Sequence, residues 1–493
     1  SVGKNEIRTP FAHNVRGTAE WYHKGEVKCE LPEDLAMVPD CFVYLCKMDR
    51  GLATPFCFTR LKVEDLFTEV DPPEEFSGGL AKQQTKPSKE RRRRRAPRAG
   101  REPWFPAWTW LTLQEDKSLD SLPGKMFPGA VLVKLGLTSD ADAKSTEKKW
   151  REVNLKAMQN QQPYVVRVHV YMGEDLPALD DNGLMDPFVK LNFKDCEPQR
   201  SKKQYETVDP LLLQTFDFKC TLADDLSAAP PVAVHLYDYD WGGLSLNEDD
   251  NATFAGIALV PLLDAFVQLD DYRGVTRARV KALGLPPSVR VIGPHDEPPP
   301  FGTAPPDSPN RPGIFKGHEP EWYPFMFEQP GDAQGSILVS VQLIPCTPEY
   351  DADPFNVPPL PDITPPTQPA FLEIVAVGCR NMLPFQLMGM SLVHLEFTLV
   401  TAQGKLNAST KEAKLPMPHN PNFLERIVSP VDMPVNPNFC PALRIAAYDT
   451  RLGGLSVPNV GNCRVDLRPK CPWSPLFVPA RTVDREVGGG EGG

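Results

Sequence analysis

What most limits the folds open to this chain is a pair of acidic turns, each preceded by a segment of strict two-residue alternation. The first turn, Leu176 to Val189, reads LPALDDNGLMDPFV and sets Asp180 and Asp186 six residues apart around Gly183. The second, Tyr237 to Gly256, reads YDYDWGGLSLNEDDNATFAG and carries Asp238 and Asp240, followed by Glu248, Asp249 and Asp250. Ahead of the first, Val166, Val168 and Val170 alternate with Arg167, His169 and Tyr171. Ahead of the second, Val232, Val234 and Leu236 alternate with Ala233, His235 and Tyr237. A period of two in residues of this kind marks strands with opposite faces in different surroundings. Carboxylates brought together by two loops at one end of a sandwich repel one another unless a cation lies between them.

Calcium suits such a site. It takes six to eight oxygens in flexible geometry, and aspartates on neighbouring loops supply one or two each. Neither turn contains His or Cys, which argues against zinc. The helix-loop-helix spacing D-x-D-x-D-G-x5-E is absent. Asp and Gly also favour turns for purely conformational reasons, so a structural reading of both turns stands beside the metal reading.

Composition narrows the remaining classes. Of 493 residues 55 are proline, roughly twice the average share of about 5%, and they gather in stretches that read as linkers or long loops. A net charge of −11 argues against nucleic acid as a partner for the chain as a whole. The eleven cysteines show no C-x-x-C pair, as in a reducing, cytosolic setting. No G-x-S-x-G elbow or phosphate-binding glycine loop appears, so the sequence does not read as an enzyme. Apolar runs such as Phe371 to Cys379 fall short of a membrane span. The opening SVGKNEIRTPFAH has no apolar signal core and no initial Met, which reads as a piece of a longer protein.

In chain order, PDCFVYLCK, PFCFTRLKVEDLF and PGAVLVKLGLT are strand candidates, the second running into a helical turn. Residues 71–106 separate them and hold five consecutive arginines, Arg91 to Arg95. Such a run reads as a solvated insertion, as a contact for anionic lipid heads or as a nuclear-localisation signal. Ser145 to Gln161 fits a short helix or linker. A sandwich begins at Tyr164 and closes at GSILVSVQLIP, Gly335 to Pro345, after a proline-laden insertion at about 285–320. The pattern then repeats. FLEIVAVGCRNMLPF echoes YVVRVHVYMGEDLPAL at an offset of about 207, and AYDTRLGGLS echoes LYDYDWGGLS at 211 with six of ten residues identical. Two ordered matches at nearly one offset indicate a duplicated fold. In the repeat no carboxylate stands where Asp180 and Asp186 stood, and Arg451 replaces Asp240, so the second sandwich is expected to be calcium-independent.

The candidate metal ligands are therefore Asp180, Asp186, Asp238, Asp240, Asp249 and Asp250. Leu184, Met185, Trp241, Leu244 and Leu246 flank them as candidate membrane-inserting side chains, each worth up to about 1.5 to 3 kcal/mol if fully withdrawn from water. Folding back onto the sandwich is the alternative for Trp241. Arg200, Lys202 and Lys203 form a basic cluster that reads either as a phosphoinositide contact or as a solvated strand face.

LPALD followed by DPFVK, with YDYD on a later strand end, resembles the C2 domain, a β-sandwich that binds calcium and phospholipid. Sites of that kind usually carry a third aspartate where this chain has Thr253. The order of segments resembles the middle of a ferlin, a family of multi-C2, tail-anchored proteins of membrane fusion and vesicle traffic. PDCFVYLCK, TRLKVEDLF and WLTLQEDKSLDSLPGKMFPGAVLVKLG look like its ferlin-specific module, and NPNF with YDTRLGGLS like a weak second C2. The resemblance implies a mainly β chain. A β-rich module occupies 1–145, a C2 domain 163–346, a Pro-rich linker 347–369, a degenerate C2 domain 370–480 and a tail 481–493. It further implies calcium-dependent binding to anionic phospholipid membranes, membrane-fusion proteins as partners, a role in exocytosis and a place on the cytosolic face of vesicle or plasma membranes. A calcium-independent scaffold for protein or lipid partners is the alternative.

Overall fold

A computed structural model of the chain describes residues 5–11, 19, 21, 23, 25–30, 32, 37–49, 52–61, 109–115, 129–133, 161–180, 182–223, 226, 229–240, 251–262, 265–268, 290–292, 320–326, 333–346, 359–383, 390, 392–413 and 419–477. The expected helix or linker before Tyr164, the arginine run and most of the proline-laden insertion lie outside them. Among the described residues, twenty-one strands account for nearly all regular structure. Near the start, β1 (Cys41–Asp49), β2 (Leu52–Leu61) and β4 (Gln114–Glu115) form one small antiparallel sheet, and β3 (Thr109–Thr112) pairs with β5 (Ala130–Val133). Trp110 reaches from β3 to donate its indole N–H to the carbonyl of Ala229 at 2.8 Å.

The central unit is built from β6 (Gln161–Glu174), β7 (Pro187–Asn192), β8 (Gln199–Arg200), β9 (Leu211–Ala223), β10 (Val232–Tyr239), β11 (Ala252–Val260), β12 (Phe266–Gln268), β13 (Arg290–Ile292), β14 (Glu321–Met326) and β15 (Ala333–Pro345). One layer runs β9-β6-β15, the other β8-β7-β10-β11, and β14 joins them by pairing with both β11 and β15. Antiparallel pairing dominates; β12 is parallel to β13 and β15. The alternation seen in the sequence becomes the core: Tyr164, Val166, Val168 and Val170 of β6 meet Val232, Val234 and Leu236 of β10, with Phe218 and Phe325 filling the interior. A fully buried residue of this type contributes roughly 1.5–3 kcal/mol.

The other face of β6 is buried too. Arg167 is 2% exposed and forms a bidentate pair with Asp217 at 2.8 and 2.9 Å, while its Nη1 donates to the carbonyl of Pro359 at 3.2 Å. His169 bonds Thr215, and burial lowers its pKa to about 3, so the ring is neutral. The Tyr171 hydroxyl meets Ser340. This polar row lets a strand carry core on one side and receive the incoming linker on the other.

The last unit comprises β16 (Thr367–Gly378), β17 (Val393–Thr401), β18 (Gly404–Ser409), β19 (Asn422–Pro434), β20 (Leu443–Asp449) and β21 (Asn459–Val465). Its sheets are β16-β19 and β18-β17-β20-β21. Leu372, Ile374 and Ala376 face its core, so the inward residues of β16 have the same even parity as those of β6. Corresponding strand residues are therefore related by an even offset, not by 207, because a slip of one residue turns every side chain to the opposite face. Among the described residues β16 pairs only with β19, whereas β6 has partners on both sides.

Replacing Arg167 by Met preserves bulk but strands the partly buried Asp217, which is expected to cost about 3 kcal/mol. Urea unfolding of the full chain should show that loss, and adding Asp217→Ala should recover part of it. Equal stability of Arg167→Met and the unmodified chain would show that the pair does not hold β6 to β9.

Candidate metal centre

The site lies where β7 and β10 end side by side. Asp238 is opposite Pro187 in the β7–β10 register, so the strand pairing itself sets the second turn against the first. The Asp186 N–H donates to Asp238 Oδ1 at 2.7 Å, and the Tyr239 N–H donates to the Asp186 carbonyl at 3.1 Å. In the first turn the N–H groups of Leu179 and Asp180 both donate to the carbonyl of Leu184 at 3.0 Å, and Gly183 donates back to Asp180 at the same distance. Gly183 has φ +76°, a conformation that glycine adopts without strain. The turn thereby curls Asp180 over the strand ends.

Asp180, Asp238 and Asp240 each place a carboxylate oxygen within 4.8 Å of the others. Asp238 is 1% exposed, and its Oδ2 has no hydrogen-bond donor among the described residues, although Oδ1 is taken. A buried carboxylate oxygen left without a donor is costly, and a hard divalent cation would relieve it. The donor set is all oxygen, with one buried and two more exposed carboxylates. These residues fit calcium.

Burial pushes the Asp238 pKa up to about 6, the neighbouring Asp180, Asp240 and Asp186 charges add to the rise, and the Asp186 amide opposes it. Thr253, which stands where a third aspartate was expected, donates its hydroxyl to Asp240 Oδ2 at 2.7 Å and so fixes a ligand instead of being one. Asp186 lies outside the group of three. It holds Asp238 through its amide and accepts the Glu206 N–H on its own Oδ1 at 2.8 Å. No sequence signal marked Glu206, because its contribution is a main-chain amide.

Two expected membrane-inserting residues are corrected. Leu184 and Met185 are 3% and 0% exposed, and Met185 belongs to the core with Val189 and Leu191. Their odd-numbered run, Met185, Val189, Leu191, extends the inward face of β7 backward, a signal that was present in the sequence. Trp241, Leu244, Leu246, Asp249 and Asp250 lie outside the described residues. In the basic cluster, Arg200 stacks over the Phe188 ring at 3.8 Å and Lys203 Nζ lies 3.5 Å over the Tyr239 ring, with Lys202 exposed. Cation–π contacts hold two of the three beside the site.

The repeat contains the same construction with a different cation. Asp449, fully buried, accepts the Leu392 N–H on Oδ1 at 3.0 Å, as Asp238 accepts that of Asp186. Its Oδ2 receives Arg451 Nε at 2.6 Å. The guanidinium stands where the first sandwich offers an unsatisfied oxygen.

A family profile described as C2 domain matches residues 164–275. The chain is 32% identical over 79 residues to a Multiple C2 and transmembrane domain-containing protein of Drosophila melanogaster, covering 16% of this chain and 8% of that protein. It is 30% identical over 136 residues to Synaptotagmin-1 of Caenorhabditis elegans, covering 25% of this chain and 30% of that one. The chain therefore spans less than a third of either relative's length. Among solved structures it is similar to a single C2 domain of plant Extended Synaptotagmin 1, at 15% identity, 38% and 99% coverage and a TM-score of 0.24. A calcium-bound pair of C2 domains from Extended-Synaptotagmin 2 aligns at 13% identity, 62% and 83% coverage and a TM-score of 0.20. The chain contains a C2 domain, is mainly β, and is related to multi-C2 proteins.

Because the folded pKa of Asp238 lies above the unfolded value of about 4, the folded chain binds the extra proton between about pH 4 and pH 6. Its stability therefore falls as pH rises through that window and stays reduced above it. Asp238→Asn keeps the acceptor for the Asp186 amide and removes the charge. Calorimetry without calcium should give a Tm higher by about 2–4 °C at pH 7.5 and unchanged at pH 4, and the variant should lose any calcium-induced rise. A lower Tm at pH 7.5 would contradict this account. In the unmodified chain, calcium affinity should fall as pH drops below about 6, since protons compete for Asp238.

Proposed function

We propose that the C2 domain binds anionic phospholipid membranes in a calcium-dependent manner, as part of a ferlin-like protein that promotes vesicle traffic, membrane fusion or exocytosis. What carries this reading is the buried Asp238, with one oxygen committed to a backbone amide and the other lacking a donor, within 4.8 Å of carboxylates from Asp180 and Asp240. Those three residues would hold calcium, which supplies charge reversal: an acidic end that repels lipid phosphates becomes one that accepts them as further oxygen ligands. Arg200, Lys202 and Lys203 add positive charge on the adjoining β8 side. With Leu184 and Met185 in the core, apolar insertion falls to Trp241, Leu244 and Leu246.

The relatives are named as C2 and synaptotagmin proteins, one of them with transmembrane domains, which supports membrane association in this chain. No helix of the described residues is long and apolar enough to cross a membrane. The module is read as a binding unit without catalysis, facing the cytosol. For the second sandwich the calcium-independent scaffold is preferred, because Arg451 already neutralises Asp449.

Cosedimentation with phosphatidylserine-containing vesicles tests the reading. We expect the full chain to pellet with calcium and to remain in solution with chelator. Asp180→Asn combined with Asp238→Asn should abolish pelleting. Equal pelleting of that double variant in calcium would eliminate the metal switch and leave constitutive binding.

A further inference from the structure

The second sandwich touches the first at the Asp180 turn and at the segment carrying Glu206, whose amide holds Asp186. The Asn182 carbonyl, inside the Asp180–Asp186 turn, accepts Asn462 Nδ2 at 2.8 Å and Asn459 Nδ2 at a longer 3.5 Å. Asn459 Nδ2 also donates to Asn462 Oδ1 at 3.0 Å, so each amide orients the other. The side chain of Asn182 meanwhile accepts the Leu184 N–H at 2.9 Å, the residue whose carbonyl holds Leu179 and Asp180. Between β8 and β9, Arg444 Nη1 donates to the Glu206 carbonyl at 3.2 Å, while the Glu206 N–H holds Asp186. Each anchor is thus one or two hydrogen bonds from Asp180 or Asp186.

Docking at these points is backed by a larger contact. Arg464 bonds Asp209 at 2.7 Å and Glu174 at 3.0 Å, and Arg468 bonds Glu174 at 2.7 Å. Phe439 packs edge-on to Tyr171 with ring centroids 5.1 Å apart, in a buried group with Met172, Leu338 and Ile363 of the linker. A Cβ on Gly183 would come within 2.9 Å of Asn462 Nδ2, so the turn approaches the second sandwich as closely as glycine permits.

We propose that Asn459, Asn462 and Arg444 are positioning residues for the cation site of the first sandwich, so that the two sandwiches act at that site as one docked pair. The second sandwich, with its own site closed by Arg451, contributes a surface that fixes Asn182 and Glu206. The Asp180 turn is then held before a cation arrives, and less ordering remains to oppose binding. The calcium part of this inference rests on the proposed function; the docking part does not.

The test uses the full chain with Asn459→Ala, Asn462→Ala and Arg444→Ala combined, and with Asn462→Asp alone, which sets a carboxylate against the Asn182 carbonyl. Arg426→Ala, at an exposed pair with Glu373, is the control. Hydrogen exchange is read over residues 176–189 and 203–209, and calcium binding by calorimetry. We expect exchange in both segments to quicken about tenfold in the variants and not in the control, with calcium Kd raised about three- to tenfold. Unchanged exchange in both variants would overturn the docking. Faster exchange with an unchanged calcium Kd would overturn the coupling to the metal site. An absence of calcium heat in the unmodified chain would overturn that coupling together with the proposed function, while exchange would still decide the docking.

Discussion

A single hydrogen bond organises both sandwiches: a backbone amide from one loop donating to one oxygen of an aspartate at the end of a neighbouring strand. In the first sandwich the pair is Asp186 N–H with Asp238, in the second Leu392 N–H with Asp449. The bond ties the first loop to the strand that carries the second, and it buries a carboxylate with one oxygen spoken for. Burial then makes the other oxygen a demand that a positive charge must meet. Arg451 meets it within the second sandwich. In the first, the same position holds Asp240, which adds negative charge beside the buried carboxylate. The two sandwiches thus share one construction and differ in the charge that stands beside the buried aspartate.

The polar row on the outer face of β6 has a similar organising role at larger scale. Arg167, His169 and Tyr171 are buried against Asp217, Thr215 and Ser340, which bond the guanidinium, the imidazole Nδ1 and the phenol hydroxyl. So held, they give the linker a surface to cross, and Tyr171 gives the second sandwich a ring to pack against. The outer face of β16 has no such cover among the described residues: Phe371 and Val375 are 78% and 62% exposed. The two units thus share an inner design and differ in what their outer strands receive.

Much of this was legible in the sequence. Alternation at Val166–Val170 and Val232–Leu236 fixed which side chains face the core, and of the six carboxylates the sequence offered as ligands, Asp180, Asp238 and Asp240 are the ones that meet among the described residues. The echo of LYDYDWGGLS in AYDTRLGGLS disclosed the repeat and the substitution at Arg451. Reading failed at Leu184 and Met185, where two apolar residues beside a ligand suggested an exposed tip. The Leu184 carbonyl captures two amides of the turn, and Met185 continues the inward row of β7. Asp186 was expected as a metal ligand, yet it lies outside the group of three, and its contribution runs through its amide, which every residue except proline possesses and no pattern singles out.

The chain's own order of residues determined a mainly β protein with a duplicated sandwich and an acidic end on the first copy, because periodicity and charge are local properties that survive in one dimension. Only the tertiary structure decided that Asp238 keeps an oxygen without a donor among the described residues, that Thr253 supports Asp240, and that Asn462 and Arg444 of the second sandwich grip the loops of the first. Those outcomes depend on strand register and on contacts between residues far apart in the chain, and distances of that kind exist only after the chain has packed.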